Sequence, residues 1–64
     1  MDVVVTVRLP SDEAEALAQL CKRFGHHHAV MLSSKFDEGR ECWAMIDAIC
    51  ALSRALAEIG YAPR

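Results

Sequence analysis

Val3-Val4-Val5-Thr6-Val7-Arg8-Leu9 is the stretch on which the fold class turns. It is dense in β-branched residues and is stopped by Pro10, so it reads as a strand of about six residues. Alternation places Val3, Val5, Val7 and Leu9 on an inward face, with Val4, Thr6 and Arg8 outward. A lone strand leaves its backbone groups unpaired, so the expectation includes pairing with another strand, from this chain or from a second copy. The rest of the chain reads as helix, and the expected class is therefore a small α+β fold in which this strand is followed by a helix, a short connector and a long C-terminal helix.

Working outward, Ser11 offers an N-cap for the first helix. Asp12, Glu13 and Glu15 lie in its opening turn, and Lys22 and Arg23 precede Gly25 at its end, as the helix dipole favours. Ala14, Leu17, Leu20, Cys21 and Phe24 recur at three- and four-residue steps and form the face expected to cover the strand. His26 to Asp37 is undecided between a short strand and a helical turn, with a lean to a turn or loop containing some helix. Ser33, Ser34 and Lys35 look like the connector, and Asp37 like a cap. From Glu38 to Ile59 the pattern predicts a helix of about six turns, with Gly60 as its C-cap and Pro63 beyond. Cys42, Met45, Ile49, Leu52, Leu56 and Ile59 make a heptad-like seam, flanked by Trp43, Ile46 and Cys50 and by a row of Ala44, Ala48, Ala51 and Ala55. Arg40, Asp47, Arg54 and Glu58 share a polar wedge roughly 40° wide at about 100° per residue.

Sixty-four residues allow one domain, 1–64, and a chain this short is marginal unless a disulfide, a metal or a partner adds stability. It is nevertheless 53% hydrophobic with only 6% aromatic residues, and the excess is alanine and aliphatic. The long helix carries most of it, which points to a homodimer whose interface is Cys42, Met45, Ala48, Ile49, Leu52, Leu56 and Ile59. No stretch is apolar for long enough to cross a bilayer. Three cysteines without framework spacing, and no secretory segment ahead of Val3, fit the reducing cytoplasm.

Little in the sequence carries chemistry. Cys21, the run His26-His27-His28, Cys42 and Cys50 are ligand types for zinc, but they lack the close pairs of structural sites, so they read as core cysteines and a solvated histidine loop, with no metal or cofactor expected. Cys21 with a histidine base is the one nucleophile arrangement available, and the chain is too short to wall a pocket around it, so no enzymatic activity and no catalytic residue is expected. Gly25, Gly39 and Gly60 are isolated and read as helix punctuation, not a phosphate loop.

Val5 to Leu17, Val-Thr-Val-Arg-Leu-Pro-Ser-Asp-Glu-Ala-Glu-Ala-Leu, resembles the opening of ribbon-helix-helix repressors. That resemblance implies a DNA-binding regulator with Thr6 and Arg8 as base readers. It covers the first third and then fails, because about a dozen residues intervene before the next helix and acids occupy that helix's start, which repels phosphate. A net charge of -2 also runs against nucleic-acid binding. Over nearly its whole length, the chain resembles short uncharacterised proteins carried by phages and integrative elements of bacteria. The carrying segments are Leu9-Pro10, Glu13 to Ala18, Lys22-Arg23, Ala44 to Ala48, Ala55 to Glu58 and the ending Gly60-Tyr61-Ala62-Pro63-Arg64, while His26 to Ser34 departs from the set. The resemblance implies a mobile-element origin and brings no activity or site. The leading functional expectation is a non-enzymatic protein-binding module, an inhibitor of a host protein or ribonucleoprotein such as a CRISPR effector complex. Its acidic surface of Asp12, Glu13, Glu15, Asp37, Glu38 and Glu41 would steer it to a basic groove.

Overall fold

The computed structural model describes residues 1–34 and 38–61. It contains three helices, α1 (Ser11–Arg23), α2 (His26–Leu32) and α3 (Arg40–Glu58). No strand occurs among the described residues, and this overturns the expected α+β class. Val3 to Leu9 pairs with nothing among them. Val3, Val5 and Val7, the supposed inward face, are 82%, 75% and 66% exposed, close to their outward neighbour Val4. Only Leu9 is half-buried, against the Leu17 and Leu20 flank of α1. β-Branched residues bias a backbone towards extended conformations, but a strand exists only where a second strand completes its ladder.

The ends of the helices follow from local chemistry. At α1 the cap position is Pro10, whose carbonyl accepts the Ala14 N–H at 3.0 Å; Ser11 is already helical and makes no side-chain cap. Asp12 and Glu13 in the first turn and Lys22 and Arg23 in the last complement the dipole as the sequence suggests. The expected α3 start at Glu38 is delayed to Arg40, because Glu38 and Gly39 both have positive φ, 60° and 84°, which a right-handed helix cannot include. Its far end is a Schellman motif: the Gly60 N–H donates to the Ala57 carbonyl at 3.1 Å and the Tyr61 N–H to the Leu56 carbonyl at 2.9 Å. Gly60 supplies the required left-handed residue at φ 99°, and Tyr61 packs back on Leu56. The calls on Lys35, Asp37 and the ending Ala62 to Arg64 lie outside the described residues.

The histidine run is helix, not loop. Gly25 is the cap of α2, and the Gly25 N–H donates to Nδ1 of His28 at 2.9 Å, so the third helical residue reaches back to the cap. Ala29 is fully buried and seats α2 against α3.

α1 and α2 follow one another along one face of α3. α1 runs antiparallel to α3: its start lies beside Gly60 and Tyr61, Ala18 and Cys21 pack with Leu56, and Phe24 reaches Ile46. The buried apolar side chains among the described residues are Ala14, Ala18, Cys21, Ala29, Cys42 and Leu56. Small residues let the helices approach closely, yet Leu56 is the one large aliphatic among them. The exposed area reflects this and, to a large extent, the uncovered segment 1–10. A folded monomer of 7.1 kDa exposes about 4,100 Å². This chain exposes 5480 Å², about 1,400 Å² more than that relation gives.

Candidate interaction surface

The residues expected to form the dimer seam are divided by the fold. Cys42 and Leu56 are buried by the chain itself, Met45 and Ile49 are half-buried, and Ile49 packs on the α1 cluster. Ala48, Leu52 and Ile59 remain open, with Ile59 at 70% exposure. On a wheel of about 100° per residue, α3 turns Cys42, Met45, Ile46, Ile49, Ser53 and Leu56 towards α1 and α2. The alanine row is exposed beyond Leu52, and Trp43 is exposed on the other flank, with the Arg40, Asp47, Arg54 and Glu58 wedge between them.

Trp43 has no site role in the sequence reading, where it only flanks the seam. In the structure it is 59% exposed and its ring stands 5.2 Å from that of His26 at the start of α2. His26 and Val30 are one turn apart and share a face of α2, and Val30, Met31 and Leu32 are all exposed. An indole beside exposed aliphatics is the composition that anchors protein interfaces. The sequence signal was there in principle: α2 is too short to bury a valine, a methionine and a leucine in addition to Ala29.

The acidic set is not one surface. Asp12 and Glu15 line a cleft of about 370 Å³ with Gln19, Gly60 and Tyr61, whereas Glu13 faces Leu9, Leu17 and Leu20 on another side of α1. Glu38 and Glu41 lie at the opposite end of α3, a helix about 27 Å long at 1.5 Å per residue. Glu41 also works within the fold, as its Oε1 accepts the Ser34 N–H at 2.9 Å and ties the connector to α3. Thr6 and Arg8, the proposed base readers, are exposed on an unpaired segment.

The cysteines and histidines do not assemble into a reactive centre. Cys21 lines a groove with Phe24, Ile46, Ile49, Cys50, Ser53 and Arg54, and no histidine borders it. Burial pushes the Cys21 thiol above its ordinary 9.0; its own backbone hydrogen bond opposes this, and Cys50 adds to it. A thiol shifted this way, without a base, is held in its less nucleophilic form. His28 is engaged by the Gly25 cap and lies 3.8 Å from the His27 ring, while His26 turns to Trp43. Among the described residues, no three His, Cys, Asp or Glu side chains converge on a point where a metal would sit, and no helix is long and apolar enough to cross a membrane.

The model of a family of unknown function, DUF7706, matches residues 1–64, and the chain belongs to that family. No curated protein and no solved structure matches it.

Proposed function

Taking membership of a family without an assigned function as the premise, we propose that the chain is a non-enzymatic protein-binding module. The observation that carries this reading is the apolar surface of Trp43 and Val30, both open to water where α2 meets α3 beside His26. Monomeric proteins rarely leave such a patch uncovered, and tryptophan is prominent among residues whose removal costs an interface most. The partner is a protein that buries Trp43. In the narrower form, the module originates from a mobile element, works in the reducing cytoplasm and inhibits a host defence complex such as a CRISPR effector; the support for that form is the sequence resemblance alone.

The DNA-regulator alternative draws less from the geometry. The repressor scheme needs a paired ribbon and two helices directly after it, whereas here α2 intervenes and Glu41 stands in the first turn of α3.

The test combines capture of partners from the natural host, addition of the purified chain to CRISPR interference reactions, and a DNA mobility assay. The expected result is a partner lost on Trp43→Ala and on Val30→Glu while helicity is unchanged. Binding to duplex DNA that weakens steeply with salt and depends on Arg8 would overturn the proposal and establish a regulator.

A further inference from the structure

We propose that α2 is a proton-operated latch: with neutral histidines it is capped and docked on α3, and proton uptake at Nδ1 of His28 uncaps it and releases it. One hydrogen bond carries this. The Gly25 N–H donates to Nδ1 of His28 at 2.9 Å, so that nitrogen holds a lone pair and the ring's single proton sits on Nε2. A second proton turns the acceptor into a donor facing a donor. The Gly25 N–H then loses its partner, and the His28 ring is driven from its place beside Phe24 and His27, at ring separations of 5.9 and 3.8 Å.

The surroundings of the cap oppose a positive charge. His26, His27 and His28 are the first three residues of α2, where backbone N–H groups lack intrahelical acceptors, and this turn holds no acid. A Cβ placed on Gly25 would stand 3.3 Å from Nδ1 of His27 and 3.7 Å from Nδ1 of His28, so both rings fold back over the same glycine. Two imidazolium rings there repel each other. Lys22 and Arg23, at the end of α1 just ahead of Gly25, add positive charge on that side. α2 meets the first half of α3 at Trp43 and, through Ser34, at Glu41; the charged and titratable groups there are Arg40, Glu41, Cys42 and Asp47. The Glu41 carboxylate accepts the Ser34 N–H beyond the far end of α2, and Cys42 is buried. Asp47 lies one turn beyond Trp43, so the charge it favours is on His26, whose ring meets the indole at 5.2 Å. None of these restores an acceptor to the Gly25 N–H.

α2 has little else to hold it. It is seven residues long, and Ala29 is its one buried residue. A helix this short does not persist alone in water, so α2 stays helical only while it is capped and docked. The helix is therefore whole above the range in which histidine ordinarily charges, around pH 6.5, and is lost as pH falls through it. Its release takes His26 from Trp43 and separates Val30 from the indole. The inference concerns the helicity of α2 alone, so it stands or falls separately from the protein-binding proposal.

The test is amide exchange of the full chain by NMR at about pH 7.5 and about pH 5.5, expressed as protection relative to the unstructured rate at each pH. The amides of Ala29 to Ser33, which close α2, should lose protection about tenfold, the size of one hydrogen bond, while those of α1 keep theirs. His28→Asn offers an oxygen where Nδ1 stands but takes up no proton, and should keep α2 protected at the lower pH. His28→Ala should be as weakly protected at both pH values as the unaltered chain is in acid. Protection of α2 that is equal at both pH values in the unaltered chain overturns the inference, and that comparison needs no variant. A His28→Asn chain that loses protection on acidification as the unaltered chain does overturns it as well.

Discussion

The N-terminal segment 1–10 and α3 are the two most apolar regions of the molecule, and the fold treats them in opposite ways. α3 satisfies its backbone within itself and offers its faces to α1 and α2. The segment 1–9 needs a neighbouring strand for its backbone groups and finds none among the described residues, so its valines remain in water. Apolar density alone therefore does not make a core; it must sit on an element that can close its own hydrogen bonds.

This contrast can be broken by mutation. The largest effect is expected for Leu56→Ala, which removes the only large buried aliphatic among the described residues and should cost about 2–5 kcal/mol in urea denaturation, enough to unfold a domain this small. The matching change in the segment, Val4→Ala, should stay within about 0.5 kcal/mol. If the two cost the same, the segment is packed and the contrast is false. Gly60→Ala forces a side chain into φ 99° at the Schellman turn and should cost about 1–2 kcal/mol, seen as a lower midpoint with an unchanged slope. His28→Ala deletes the bond from the Gly25 N–H and should cost about 1 kcal/mol, with faster amide exchange confined to α2. The smallest effect is one of pH. Because folding raises the Cys21 thiol above its ordinary 9.0, the chain prefers the protonated form, so stability is whole below that value and falls as pH rises through the shifted one. Cys21→Ala should remove that alkaline loss.

Much of α1 and α3 was legible, since their periodicity, end charges and glycines are local signals, and the structure moves the α3 boundaries by only one or two residues. α2 was less so: seven residues carry no periodicity, and its cap is a glycine completed by a histidine three residues on. The strand was misread because β-propensity reports a local bias while pairing is a property of the whole fold. The site was harder still. Asp12 and Glu41 look like parts of one acidic field along the chain, yet the antiparallel packing of α1 on α3 sends them to opposite ends, and only the tertiary arrangement could show that Trp43 is left in the open beside His26.

The account rests on the claim that one copy does not cover enough of its own apolar surface. Helical ellipticity of the full chain followed from millimolar to nanomolar concentration tests it most directly. The account predicts that helicity falls as the chain is diluted; full helicity retained at the lowest concentration would contradict it.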